Sequence, residues 1–202
     1  MSGDDLLEVE VKFHIADRHM VRERLLAAGA LQEHPRQFER NQRFDTPEEV
    51  LRHSDQLLRL RQDERVRLTF KGPTLHHAGS EAKVREELEV NVDNFERMAA
   101  ILGRLGFMPF QSYEKYRETF SLQGVEVVLD EMPFGIFVEL EGEEPSIRGV
   151  AELLDLPWGE RILDNYLSLM ARVKAHYGLA FDDLTFANFA GRQTDLAAVL
   201  AG

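Results

Sequence analysis

The chain has 202 residues, 44% of them hydrophobic and 9% aromatic, which is enough for one sizeable domain and short for two. Its 36 acidic residues against 24 Lys and Arg give a formal charge of −12. That excludes a general binder of nucleic-acid polymers or anionic membranes but leaves room for a small phosphorylated ligand in a locally basic pocket.

There are no cysteines, so disulfides, thiolate metal sites and cysteine nucleophiles are excluded. The opening MSGDDLLEVE has no basic stretch followed by an apolar one, and no apolar run nears the ~20 residues of a membrane span. A soluble, cytoplasmic protein is expected.

Residues 6–13, LLEVEVKF, alternate with a period of two. Glu8, Glu10 and Lys12 share one face, and Leu7, Val9, Val11 and Phe13 the other, which predicts a strand with one charged and one apolar side. Asp17 is placed to cap a helix reaching about Ala28, with Met20, Val21, Leu25 and Leu26 on one side and Gly29 ending it. Residues 31–45 predict a second strand with an irregular polar middle, and Thr46-Pro47 opens a short helical turn over 48–52.

Two further strands are expected at 56–62 and 66–71, the second stopped by Gly72-Pro73. The loop 74–80 carries His76-His77, which read as solvated residues rather than a metal site. Residues 81–92 alternate again, and Asn94 precedes a helix over 95–105 closed by Gly106. Strands follow at 113–122, 125–132 and 134–142, then helices at 147–154 and 162–176. In the tail, Phe181, Phe186 and Phe189 are expected to pack down. Trp158 reads as a packing residue, and Arg161, Arg172 and Lys174 as solvated helix surface. Eight or so strands in mostly antiparallel order, with helices between them, predict one α+β domain over 1–202.

The charged faces of these strands are sorted by sign. Arg59 and Arg61 share a face, as do Arg67, Thr69 and Lys71; Arg85, Glu87 and Glu89; and Tyr113, Lys115, Arg117 and Thr119. Glu126 and Asp130 lie on one side of their strand, and Glu139 and Glu141 on one side of theirs. Bases concentrate on the middle strands and acids on the first and last. If the sheet closes with these faces inward, it encloses a wet tunnel that must hold counter-charges. A metal-bound polyphosphate meets that need, with cations on the acids and phosphoryl oxygens on the Arg and Lys donors.

Glu8-x-Glu10-x-Lys12 resembles the ExExK signature of the CYTH superfamily, the triphosphate tunnel metalloenzymes. The similarity continues in order through Leu58-Arg59-Leu60-Arg61, Leu68-Thr69-Phe70-Lys71-Gly72-Pro73 and Arg85-Glu86-Glu87-Leu88-Glu89. It then runs through Lys115-Tyr116-Arg117, Val128-Leu129-Asp130 and Phe137-Val138-Glu139-Leu140-Glu141-Gly142.

The resemblance implies an eight-stranded, mostly antiparallel closed barrel with a polar interior and helices outside. It also implies Mg²⁺ or Mn²⁺ and a triphosphate-containing substrate such as inorganic triphosphate, ATP or thiamine triphosphate, and allows a homodimer. Glu8, Glu10, Glu139 and Glu141 are then the main metal ligands, with Glu87, Glu89 and Asp130 as further acidic positions. Lys12, Arg59, Arg61, Lys71, Arg85 and Arg117 bind phosphate oxygens. Lys115 either activates the attacking nucleophile or is one more phosphate clamp; Glu39-Arg40-Asn41 has no assigned role. The expected activity is a metal-dependent triphosphatase, with a class IV adenylyl cyclase as the alternative within the family and a non-catalytic polyphosphate binder outside it.

Overall fold

The alternating segments close into a ring. The structure, a computed structural model, describes residues 7–75 and 81–201, so Leu6 and the His76-His77 pair lie outside it. Its eight strands among the described residues are β1 (Leu7–Ile15), β2 (Leu31–Asp45), β3 (Leu57–Gln62), β4 (Val66–Lys71), β5 (Lys83–Val92), β6 (Met108–Leu122), β7 (Val125–Met132) and β8 (Gly135–Glu141). They form a closed barrel in the order β1-β5-β4-β3-β2-β6-β7-β8, with every neighbouring pair antiparallel. Closure removes the exposed sheet edges that an open sheet of this size would have to protect.

The helices are α1 (Arg18–Ala27), α2 (Val50–His53), α3 (Phe95–Arg104), α4 (Glu144–Leu153), α5 (Tyr166–Tyr177), α6 (Phe186–Phe189) and α7 (Leu196–Ala201). Local chemistry sets their starts. Asp17 accepts from the backbone N–H of His19, Asn94 from that of Arg97, and Asn165 from those of Leu167 and Ser168. Gly29 and Gly178, at φ +82° and +61°, let the chain turn after α1 and α5 in the left-handed region that side chains disfavour. The predicted α1 face is narrower than expected: Val21 and Leu25 are buried, whereas Met20 and Leu26 remain exposed. The irregular middle of β2 has a cause, since its pairing with β6 shifts register between Gln32 and His34 and again before Gln37.

The apolar sides of the strands mostly point outward, two groups of helices cover them, and a third packs on apolar residues around the β7–β8 turn. Val11, Phe13, Val127, Leu129, Val138 and Leu140 pack under α1 and α4 with Val21, Leu25, Ile147 and Val150. Phe44 and Leu60 pack under Phe95 and Leu102 of α3. Met132, Phe134 and Phe137 meet Leu169, Met170, Val173, Phe189 and Leu196 of α5, α6 and α7. Burying each such side chain contributes about 1.5–3 kcal/mol, so the hydrophobic effect works outside the barrel and the charged sides are left facing in. α5 starts later than the pattern predicts, because Ile162 pairs with Lys12 of β1 through two backbone hydrogen bonds before the helix begins.

Candidate functional site

The inward faces enclose a cavity of about 320 Å³. It is lined by Glu8, Glu10, Lys12, Arg59, Arg61, Lys71, Arg85, Glu87, Glu89, Lys115, Arg117, Glu139 and Glu141. Twelve of these are the residues to which the resemblance assigns metal and phosphate roles, and the thirteenth is Lys115, expected as base or clamp. Asp130 is the exception. Its carboxylate is fully buried behind the cavity wall, where Oδ2 accepts from Lys115 Nζ at 2.8 Å, from Arg117 Nη2 at 2.6 Å and from the Tyr166 hydroxyl at 2.9 Å. The sequence pattern groups Asp130 with the cation-facing acids; the structure makes it the counter-ion of Lys115 and Arg117.

Residues outside the expected set also line the cavity: Arg67, Lys83, Tyr113, Glu126 and, from the C-terminal part, Asn165, Tyr166 and Leu167. Of the three cations weighed on that part, none reaches the tunnel. Arg161 pairs with Glu81, Arg172 donates to the Val199 carbonyl at 2.8 Å, and Lys174 pairs with Asp182. Tyr166 does reach it, with its ring 4.5 Å from Lys12 Nζ and 5.5 Å from Lys115 Nζ. No spacing signal marks Tyr166, because its position depends on where α5 starts. Trp158 packs on Phe13 and donates to Glu81.

Glu39, whose role the sequence leaves open, is a buried tunnel acid directly opposite Lys115 in the β2–β6 register. Its Oε2 lies 3.5 Å from Arg61 Nε and 3.7 Å from Lys115 Nζ. Burial alone would raise its pKa, but Arg61 and Lys115 hold it well below the usual carboxylate range.

Charge along the tunnel is uneven. Burial, with Arg117 beside it, keeps the Lys115 ammonium below its ordinary pKa despite Asp130 and Glu39. Tyr113 is likewise lowered: burial opposes ionisation, but Arg59, Arg61 and Lys115 outweigh it. Burial and neighbouring carboxylates raise Glu8 to about 7 and Glu141 to about 8, against the pull of Lys71. Glu87, whose carboxylate meets Lys71 Nζ at 2.7 Å, goes the other way, to about 2. Buried donors are left over as well: Arg59 Nε and Asn41 Nδ2 have no hydrogen-bond partner among the described residues. Each such orphan costs about 1–3 kcal/mol until an acceptor arrives.

With this geometry in hand, similarity to known proteins is informative. The CYTH domain family model matches residues 6–162. The chain belongs to the CYTH family. A protein of Methanocaldococcus jannaschii, provisionally named an adenylate cyclase, is 32% identical over 152 residues, 74% of this chain and 85% of that one.

Among solved structures, a Vibrio parahaemolyticus protein, also provisionally named an adenylate cyclase, superposes with a TM-score of 0.72 at 20% identity. That match covers 82% of this chain and 98% of the other. A Hippeastrum protein described as an adenylyl cyclase candidate with dominant triphosphatase activity superposes with a TM-score of 0.56 at 19% identity, covering 78% and 91%. At these identities the two structures establish the shared fold. α5, α6 and α7 lie beyond the residues that the family model matches.

Proposed function

We propose that this CYTH protein is a divalent-metal-dependent triphosphatase that hydrolyses the terminal phosphoanhydride of a triphosphate held in the tunnel. Arg59 Nε, a buried donor without a hydrogen-bond partner among the described residues, and the cations Arg61, Lys71, Arg85 and Arg117 that line the cavity with it are the observation that carries this reading. They ask for an anion with several oxygens.

Glu8, Glu10 and Glu141 offer carboxylate oxygens, the donors a hard divalent ion prefers, and the burial and carboxylate repulsion that raise Glu8 and Glu141 are what a cation would relieve. Lys71 lies between Glu8 and Glu87, and Lys83 reaches Glu10 at 3.3 Å. Accordingly, no three acidic or histidine side chains among the described residues are grouped to hold an ion in this conformation. Phosphate oxygens compete for these same lysines. The donor set therefore fits Mg²⁺ or Mn²⁺ at Glu8, Glu10, Glu139 and Glu141. Such a cation supplies neutralisation of the phosphoryl oxygens.

In the reaction, Lys12, Arg59, Arg61, Lys71, Arg85 and Arg117 hold the phosphate chain and stabilise charge on its oxygens. Lys115, fixed by Asp130, is placed to take the proton from the attacking water. The water oxygen bonds to the terminal phosphorus, the anhydride bond breaks, and its electron pair leaves with the bridging oxygen on the diphosphate. Lys115 lies four residues along β6 from Gln111 at the mouth, roughly 14 Å at ~3.4 Å per residue. That depth favours reaction at the terminal phosphorus over cyclisation, which takes place at the phosphorus next to the nucleoside.

The test is a product assay with Mg²⁺ or Mn²⁺, offering tripolyphosphate, ATP and thiamine triphosphate separately. Orthophosphate with the matching diphosphate is expected. Cyclic AMP with pyrophosphate from ATP would establish the cyclase named for the archaeal relative. Metal-dependent binding without product would make the protein a polyphosphate receptor.

A further inference from the structure

The tunnel has a second opening. At the Gln111 end it runs past Leu57, Arg85, Asn165 and Leu167 into an outer cavity of about 710 Å³. At the opposite end it meets a cavity of about 150 Å³, and the two share Arg61, Arg67, Arg117 and Glu126, so the space continues through the barrel. His34, Glu64 and Arg65 at the rim of this rear cavity are exposed, which opens it to solvent. Thr119 lies four residues beyond Lys115 on β6, roughly 14 Å at ~3.4 Å per residue, so Lys115 stands midway between the two openings.

The rear wall is balanced in charge. Arg61, Arg65, Arg67 and Arg117 stand against Glu39, Asp63, Glu64 and Glu126. Arg67 pairs with Asp63 across the β3–β4 turn and lies 3.6 Å from Glu89, yet its Nε is a buried donor without a hydrogen-bond partner among the described residues. Gln37, opposite Arg117 in the β2–β6 register, carries a buried Oε1 that likewise has no partner there. A free donor beside a free acceptor suits hydrogen phosphate, which accepts through its oxygens and donates through its hydroxyl. A polyphosphate chain would gain little at this end, because the carboxylates offset the arginines.

The direction of the reaction gives the two openings different uses. The terminal phosphorus sits at Lys115 with its diphosphate toward Gln111, and phosphoryl transfer runs in line, so the attacking water comes from the side of Arg117 and Thr119. The water oxygen bonds to phosphorus as the anhydride bond breaks, which leaves the new orthophosphate behind the diphosphate as seen from the Gln111 end. Through that end it could leave only second. We propose that the rear cavity binds orthophosphate at Arg67 and Gln37 and is its exit, while the diphosphate returns through the Gln111 end. This rests on the triphosphatase reading for the tunnel. The near-neutral wall fits an exit, because an anion on a pathway must bind well enough to enter and weakly enough to leave. A channel admitting water alone is the other use of such an opening; the arginines around it favour an anion.

The experiment follows single turnovers of tripolyphosphate with Mg²⁺ and an excess of the full chain. Rapid quench reads orthophosphate formed, and a fluorescent phosphate sensor reads orthophosphate released. Pyrophosphate added in excess once substrate is bound refills the Gln111 end. Release from wild type is expected to change by less than about twofold, because the rear exit stays open. Thr119→Phe and His34→Trp, opposite each other in the β2–β6 register, fill the rear cavity away from Lys115. Each should form orthophosphate within about threefold of the wild-type rate and release it at least about tenfold more slowly, now with sensitivity to pyrophosphate. Arg67→Gln leaves the path open but removes the free donor, and should slow release by about three- to tenfold. Normal formation shows that a variant is folded. Wild-type release slowed about tenfold or more by pyrophosphate, or variants that all release at the wild-type rate, overturns the proposal and leaves the triphosphatase reading standing. If the filled variants lose formation as well, the wild-type result decides. Absence of orthophosphate formation in wild type overturns both.

Discussion

The two walls of the tunnel solve the problem of buried charge in different ways. On the basic wall the protein supplies its own counter-ions: Asp130 holds Lys115, Arg117 and Tyr166, and Glu39 sits across from Lys115. On the acidic wall the supply is partial: Lys12 and Arg117 hold Glu139 down and Lys83 reaches Glu10, but Glu8 rises to about 7 and Glu141 to about 8 because burial and nearby carboxylates outweigh Lys71. Buried ion pairs add little net stability, since desolvation offsets much of the attraction, but they fix geometry. The difference teaches that charge is completed internally where a side chain must be aimed, as with Lys115, and left incomplete where a ligand must complete it.

The comparison breaks first at the acids. Glu8→Gln and Glu139→Gln are expected to lower phosphate release by on the order of 10³-fold or more, with a melting temperature at or above wild type for Glu8→Gln and below it for Glu139→Gln, which leaves Lys12 and Arg117 short of a counter-ion. Wild-type-like turnover in either would remove the acidic wall from the chemistry. Lys115→Ala tests the aimed side chain, with an expected loss of about 10²–10⁴ in kcat and little change in KM. A matching rise in KM would make Lys115 a phosphate clamp.

Opposite faces of one strand give the next test. Leu140 is fully buried outside the barrel between inward-facing Glu139 and Glu141. Leu140→Ala should cost about 2–5 kcal/mol in urea unfolding while kcat of the folded fraction stays near wild type. A selective loss of kcat would show that the outer core tunes the site.

How much of this was legible before folding follows the same division. Alternation in β1, β3, β4, β5, β6 and β8 carries the barrel and most of the lining acids and bases, because a strand's period of two sorts residues by face without reference to anything distant. Asp130 obeys that period and still misleads: it lies on the inward side, but Lys115 and Arg117 of β6 and Tyr166 of α5 occupy its oxygens, so its role is set by neighbouring elements and not by its own strand. Tyr166 was illegible for the related reason that it reaches the tunnel from α5, a distant part of the chain.

The finest test of the comparison is the pH dependence of stability in metal-free protein. A carboxyl whose folded pKa lies above its unfolded value binds its proton more tightly when folded. Between about 4.5 and 8 the native state then carries more of the Glu141 proton than the unfolded chain does, so stability falls as pH rises through that window. Glu141→Gln removes the titrating group and should flatten this limb by roughly 1–3 kcal/mol, allowing for water reaching the tunnel. Glu87, held at about 2 by Lys71, has the opposite sign: its contribution is full above about 4.5 and is lost as pH falls toward 2. Chelated wild type should therefore be most stable at mildly acidic pH, and Mg²⁺ should restore its melting temperature at pH 8 more than at pH 5. Equal Mg²⁺ effects at the two pH values, with no flattening in Glu141→Gln, would mean that the acidic wall is already balanced and that the two walls do not differ in kind.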